Sequence, residues 1–506
     1  MTIQYTKDWL AKWAAYRPDA PAIMEYSSKQ IFTYAQCNLK AEKWRHWLLD
    51  TKGLQQGDRL AILCENCADM VFLFGAAQKT GIILVPINWR LSPSEVIFMI
   101  KDCQASGLLA HQKFLDKLNA HQESKSLNTQ LKFARAIEDL SMEVENFHLN
   151  DHLLSPIIVE EEDPVFILYT SGTTGFPKGA IYTHKMLLWN SINTALRLDI
   201  TSQDRTLNVM PLFHTGGWNV LLTPFLHRGA FTILMQGFEP QEVLACLSQE
   251  EVTIFMGVPT MLNMMKDQAT FDSVLMDKLR YMIVGGEAMP IPLIETYHKK
   301  GIPIRQGYGM TEAGPNLTSL NHHDAIRKIG SIGKPNFYIE TKIVDEAGKE
   351  CGDNIAGELL IRGPIVTPGY WDNEEATQRS IKDGWLYTGD MARRDEEGFI
   401  YIVDRIKNMF ISGGENVYPA EVERVLMTHP AIGECAVVPI PDLKWGECGR
   451  AFIKLDQTKE ISATELKSFC QDKLAKFKIP KEFVILDELP KIGSGKIDRK
   501  SLKESI

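Results

Sequence analysis

The chain is 506 residues long, 44% hydrophobic and 24% charged, with a formal net charge of -9 and an isoelectric point near 5.8. That length exceeds one compact core and predicts about three units, while the ordinary globular composition excludes disordered and fibrous classes. The acidic balance argues against a nucleic-acid partner, no apolar run reaches transmembrane length, and nine cysteines are too sparse for a disulfide framework.

The first residues, MTIQYTKDWLAKW, have no apolar core behind a basic end, so a cytoplasmic setting is expected. Up to about 160, helical stretches at 9–16, 34–49 and 92–100 alternate with apolar runs at 59–63, 82–86 and 108–110. That alternation predicts helices packed on a largely parallel sheet. Cys64 and Cys67 have metal-like spacing but no second pair to complete a site. The polar stretch 116–150 reads as an irregular surface connection.

From 163 to about 334 the alternation returns, with strands expected at 206–210, 231–234, 252–256 and 281–284. Ligands of open parallel sheets bind beyond the carboxyl ends of the strands. The loops 211–218, 257–260, 285–290 and 306–316 are therefore the ones to read. From 336 to about 403, short alternating strands with glycine-rich turns predict a small β-rich subdomain. The charged stretch DRIKN (404–408), soon followed by Gly413 and Gly414, reads as a boundary. Helices at 419–427 and 463–477 with strands near 436–439 and 451–455 then predict a compact α+β unit, with a lysine-rich run at 473–503.

The stretch at 168–180, LYTSGTTGFPKGA, reads as a device for gripping phosphate. An apolar strand runs into a loop where Gly172, Gly175 and Gly179 allow close backbone approach to an anion. Thr170, Ser171, Thr173 and Thr174 supply hydroxyls and Lys178 a mobile charge. It is not a Walker loop, because no Ser or Thr follows the lysine. Four further segments carry chemistry. QGYGMTE (306–312) sets an aromatic ring between glycines, followed by a hydroxyl and a carboxylate. YTGD (387–390) ends on an acid, PLFHTGGWN (211–219) joins a histidine to a tryptophan, and PKIGSGKIDRK (490–500) centres on Lys496. Taken singly, several of these read as turns, or as a solvated lysine.

Together and in order, they resemble the signatures of the ANL superfamily of adenylate-forming enzymes, over nearly the whole chain, and most closely its fatty-acyl-CoA synthetases. The fold implied is α/β. A large N-terminal domain (1–403) comprises two sheet-and-helix subdomains (about 1–160 and 161–335) and the β-rich subdomain (336–403). A hinge at 404–408, centred on Lys407, leads to a small mobile α+β C-terminal domain (409–506).

The resemblance implies an acid–thiol ligase using ATP, Mg2+ and CoA, which passes through an acyl-adenylate and releases AMP and pyrophosphate. ATP would be held by Thr170, Ser171, Gly172, Thr173, Thr174, Lys178, Gly286, Glu287, Gln306, Gly307, Tyr308, Asp390 and Arg405. Tyr308 would stack on the base and Asp390 would accept from the ribose. Thr311, Glu312, His214 and Lys496 would be catalytic, with Glu312 as the magnesium ligand. The acyl group would meet His214, Trp218, Gly309, Pro315 and Asn316, Trp218 acting as a gate, and CoA would meet Ser412, Gly413, Gly414, Trp445, Phe477 and Lys481. The acid expected is a medium- or long-chain fatty acid. The alternatives are an aryl acid of the coumarate or benzoate type, transfer to a carrier protein, and a nucleotide-binding module without chemistry. Partners would be these small molecules and, as a candidate, a second copy of the chain.

Overall fold

The helix Ala68–Thr80 is apolar almost all round, and such a helix must be enclosed. Every residue in it except Asp69 is buried. Asp69 accepts from the Trp44 indole at 3.1 Å and from the Ser141 hydroxyl at 2.6 Å. Lys79 is matched by Glu42 at 2.9 Å and by Asp8. Gly75 is required by packing, since a Cβ there would lie 2.5 Å from Leu10 Cδ1 and 2.8 Å from Ala41 Cβ. The helices Trp9–Tyr16 and Tyr34–His46 therefore close directly onto this one.

The computed structural model describes residues 7–146, 157–170, 177–286, 289–412, 415–443, 445–456, 461–471, 473–492 and 495–505. Two sheets flank the buried helix and its core. One has six strands in the order Phe133–Ala136, Gly107–Ala110, Arg59–Leu63, Ile83–Pro86, Pro164–Thr170 and Lys178–Thr183. All its pairs are parallel except the last. The second begins with the hairpin Pro21–Glu25 and Gln30–Thr33. It continues in parallel through Phe231–Leu234, Arg205–Asn208, Ile254–Gly257, Tyr281–Val284 and Ile304–Tyr308.

Beyond Ile304–Tyr308 the same path turns antiparallel through Thr318–Leu320, Ser331–Pro335, Ile400–Arg405, Trp385–Arg394, Gly357–Arg362 and Glu340–Val344. The change of pairing follows the sequence. Ile254–Gly257 and Tyr281–Val284 are buried throughout, whereas Trp385–Arg394 alternates buried with half-buried residues, as a sheet with one wet face requires. A third sheet joins Glu415–Val417, Phe410–Ser412, Gly446–Leu455, Ile432–Asp442 and Glu482–Ile485. The helices Pro419–Leu426 and Ala463–Gln471 pack on it through Val422, Leu426, Leu466 and Cys470.

The molecule is thus mixed α/β with a small α+β unit at its C-terminus. Sheet membership does not follow chain order, because the hairpin at 21–33 sits in the second sheet while the strands at 164–183 sit in the first. The stretch 116–150 is not irregular where it is described. It holds the strand Phe133–Ala136 and the helix Ile137–Glu145, whose Ile137, Leu140 and Val144 are buried. Three apolar residues spaced by three and four were enough to dock a helix despite its polar surroundings. Among the described residues no helix is long and apolar enough to cross a membrane.

Candidate functional site

The strands Pro164–Thr170 and Lys178–Thr183 put Thr170 and Lys178 opposite each other at the base of the glycine-rich loop. Ser171, Gly172, Thr173 and Thr174 lie outside the described residues, as do Glu287, Gly413 and Gly414. The Thr170 hydroxyl donates to Glu312 Oε1 at 3.4 Å, and the Tyr370 hydroxyl donates to the same oxygen at 2.9 Å. Lys178 Nζ lies 5.5 Å above the Tyr370 ring. Glu312, in the short 3-10 turn Thr311–Ala313, is buried, and its carbonyl accepts from Thr367 N at 2.8 Å. Burial, and then the Glu312 charge, push the Tyr370 hydroxyl well up, so it stays a donor.

Three distant segments therefore converge on one carboxylate. Tyr370 was not foreseen in the sequence; no motif marks it, and a bridge between Ala180 and Tyr370 is what brings it in. Among the described residues no cluster of three or more acids, histidines and cysteines can enclose a metal. A single buried carboxylate, as at Glu312, suits magnesium, which takes few protein ligands and completes its shell with water and substrate phosphate.

At the carboxyl end of Ile304–Tyr308 a second polar chain forms. The Tyr308 hydroxyl donates to Asp390 Oδ2, and Arg405 Nε lies 2.6 Å from Asp390 Oδ1. Asp390 and Arg405 face each other across the ladder. Burial pushes the Asp390 carboxyl up, opposed by Arg405, by the Tyr308 donor and by the more distant Lys496. Gln306, on the same strand, is buried with Nε2 unpartnered, an amide donor left to meet something else. Gly307 follows it in the strand, and Gly286, at φ +86°, follows the neighbouring strand Tyr281–Val284.

Lys496 lies on the C-terminal unit, where its carbonyl accepts from Ile492 N at 2.8 Å. Its charge opposes the rise at Asp390 and adds to the fall at His214. The His214 imidazole is pushed down to about 4, by burial first and then by Lys496 and Arg90. Its Nε2 is buried without a partner. The ring stands 4.5 Å from that of Phe213, over which Arg90 lies at 5.7 Å, with Trp89 6.4 Å from Phe213 in a T-shaped contact. Trp89 and Arg90 were missed. Their place after the strand Ile83–Pro86, at a carboxyl end of the first sheet, was the available signal.

Trp218, the expected gate, is enclosed in this structure. Trp218 has no exposed surface and packs between Phe74, at 5.6 Å, and Phe166, at 5.0 Å. It belongs to the core around Ala68–Thr80, because its turn Gly217–Leu222 is apolar and buried throughout. Asn316 likewise has structural work. Its Nδ2 donates to Thr194 Oγ1 at 2.6 Å, to Asn219 O at 3.1 Å and to Val220 O at 3.3 Å, leaving no free donor for an acid. Gly309 is needed where the chain crosses itself, since a Cβ would come 2.0 Å from the Pro315 carbonyl oxygen.

In the C-terminal unit, Ser412 is buried and pairs with Gly446. Trp445 N donates to Asp442 Oδ1 at 2.9 Å, and Lys481 forms an ion pair with Asp442, so these residues gather round one hairpin end. Phe477 instead packs against the core of that unit. Lys407 falls in the 3-10 turn Ile406–Asn408, next to Asp404, whose carboxylate accepts from Ala420 N at 2.6 Å and from Asn408 Nδ2 at 3.2 Å.

Residues 10–371 match the family described as AMP-binding enzyme, and residues 421–496 match the AMP-binding enzyme C-terminal domain. A feruloyl-CoA synthase of Amycolatopsis sp is 34% identical over 489 residues, 97% of this chain and 96% of that one. A long-chain-fatty-acid–CoA ligase of Mycobacterium tuberculosis is 34% identical over 502 residues, covering 98% and 97%. The structure of o-succinylbenzoate CoA synthetase from Bacillus subtilis with its acyl-adenylate intermediate superposes with a TM-score of 0.87, at 34% identity and 98% coverage of both chains. The chain belongs to the AMP-binding enzyme family, within the ANL superfamily, as an ATP-dependent, AMP-forming acid–CoA ligase.

Proposed function

We propose that the chain activates an aromatic carboxylic acid with ATP and passes it to CoA. The observation that carries the reading is the convergence of Thr170 and Tyr370 on the buried Glu312, with Lys178 beside the Tyr370 ring and Lys496 among the charges acting on Asp390 and His214. Two anions must approach for a carboxylate to attack the α-phosphate of ATP. Lys178 and Lys496 offset that repulsion, and Glu312 would hold the magnesium whose charge supplies further neutralisation. Gln306 Nε2 is free to meet the base edge, and the second lone pairs of the Asp390 oxygens can accept from the ribose. Thr311 would donate to the α-phosphate. Pyrophosphate leaves as the acyl-adenylate forms; the CoA thiol then attacks the acyl carbon and AMP departs with the bonding electron pair.

Support for an aromatic acid comes from two features. Trp218 is packed in the core, which weakens the case for a long acyl channel, and the Phe213 ring stands against the neutral His214, with Trp89 edge-on to Phe213. Two of the relatives are named for feruloyl and o-succinylbenzoate substrates. A medium- or long-chain fatty acid is the second reading, favoured by the equally similar mycobacterial ligase. CoA-dependent AMP release is to be measured across coumarate, ferulate, benzoate and straight-chain acids, with Lys496→Ala as control. A maximum among the aromatic acids supports the reading, and a maximum at medium or long chains replaces it with the second. AMP formation without CoA turnover would point to a carrier-protein acceptor.

The two steps need different partners for the acyl carbon, so the C-terminal unit would turn about Lys407 between them. Hinges confine such rotation to a few residues at element ends. Lys407→Pro is expected to impair thioester formation far more than adenylation; equal loss in both steps would remove the hinge from this position.

A further inference from the structure

His214 sits on a loop that cannot hold its own shape. In residues 210–217, His214 N donates to Pro211 O at 3.1 Å and Gly217 N to His214 O at 3.0 Å, which leaves other backbone groups to find partners elsewhere. Two buried asparagines supply them. Asn208, ending the strand Arg205–Asn208, accepts from Met210 N at 3.1 Å and donates to Gly217 O at 2.9 Å, so it ties the two ends of the loop together. Asn66 grips it from the other sheet. Its Nδ2 donates to Met210 O at 3.0 Å and to Met235 O at 3.2 Å, while its Oδ1 accepts from Leu212 N at 3.0 Å.

Asn66 is only 7% exposed and lies in the turn between the strand Arg59–Leu63 and the helix Ala68–Thr80. A side-chain amide can give two hydrogen bonds from its NH2 and accept at its oxygen in a single plane, as this position demands. At Gly217 a Cβ would stand 2.2 Å from Pro211 O, so the loop is closed tightly on itself and a shift at Leu212 must reach His214, two residues on. Nothing in this clamp touches Glu312, Asp390 or Lys178.

We propose that Asn66 is a positioning residue for the acid: with Asn208 it holds the loop 210–217 so that His214 faces the acid with Nε2 free. The proposal rests on the acid–CoA ligase reading for its kinetic consequence. Asn66 joins the first sheet to the loop of the second, so the acid side of the site depends on the register between the two. A purely structural asparagine would lower stability and leave the acid and ATP constants in proportion.

The test compares the full chain with Asn66→Ala, His214→Ala and the double variant, by initial-rate AMP release. Loss of hydrogen bonds to three backbone groups predicts an acid KM raised about tenfold or more in Asn66→Ala, with the ATP KM within about twofold. The double variant should be no worse than His214→Ala alone, because both changes act through the same ring. Equal rises in both KM values, or effects of the two substitutions that multiply, would overturn the proposal. Asn66→Ser replaces Asn66→Ala should the latter not fold. A second readout needs no activity: burial and nearby cations push the His214 imidazole down to about 4, and by NMR its midpoint should lie there in the intact chain and move toward about 6.5 in the Asn66 variant as the ring loosens. An unmoved titration overturns the clamp. A wild-type chain that releases no AMP from any acid overturns the ligase reading and leaves the titration to judge the clamp.

Discussion

In the proposed site, the side assigned to the nucleotide and the side assigned to the acid are built on opposite principles. On the nucleotide side, charged groups are interlocked: Glu312 receives Thr170 and Tyr370, and Asp390 receives Tyr308 and Arg405. On the acid side, the polar atoms are either unpartnered, as in His214, or committed to backbone, as in Asn316, and the large rings belong to packing. The first region must present fixed charge to phosphates, so each ionised group is held by a partner. The second must accept an organic body, and its shape is inherited from the core behind it. Substrate choice can therefore drift with core packing while the nucleotide chemistry stays put.

This contrast can be broken or sharpened by experiment. Trp218→Ala should cost about 3–5 kcal/mol of stability, the usual range for emptying such a core site, with acid preference unchanged in whatever fraction remains folded. A changed acid preference at near-normal stability, read by chemical denaturation and the substrate panel, would return Trp218 to the acid path. Lys496→Ala should slow adenylation by about 10²–10³-fold, as for loss of a donor to developing charge, with conversion of a supplied acyl-adenylate and CoA much less affected. Pyrophosphate exchange and single-turnover thioester formation separate the two.

A pH test follows from the buried histidines. His184, His214 and His227 are each pushed down to about 4, against about 6.5 in an unfolded chain. Above pH 6.5 neither state is protonated and they have no effect. Between 6.5 and 4 only the unfolded chain takes up protons, so stability falls as pH falls, by about 2 kcal/mol per histidine at pH 5. His214→Gln should remove its share of that slope in urea denaturation, and an unchanged slope would mean that the ring is wetter than its burial indicates. The smallest effect is expected from Asp390→Asn. Loss of the charged partner of Arg405 and Tyr308 should raise the ATP KM about tenfold and leave the acid KM alone; a rise in the acid KM would join the two sides.

The residues proposed for the nucleotide could be picked out because they come in short contiguous strings. Thr170 with Lys178, Tyr308 with Glu312, and Asp390 are each reached through local backbone geometry, a strand end and the loop after it, which sequence patterns encode directly. Tyr370 escaped because only the bridge to Ala180 brings it to Glu312. The helix Ile137–Glu145 escaped because three buried side chains decide it against a polar background. The surroundings of Trp218 were hidden for a related reason. A tryptophan four residues from a histidine can face a cavity or a core, and Phe74 and Phe166, far away in the chain, settle which.

By itself, then, the sequence determined the α/β class, the distinct C-terminal unit and the chemistry of phosphate, because periodicity, glycine placement and charged side chains act within a few residues of one another. Only the tertiary structure decided which rings pack in the core, which asparagines are committed to backbone and which hydroxyl meets Glu312. Those depend on packing and hydrogen bonds between segments far apart in the chain, whose balance no local stretch records.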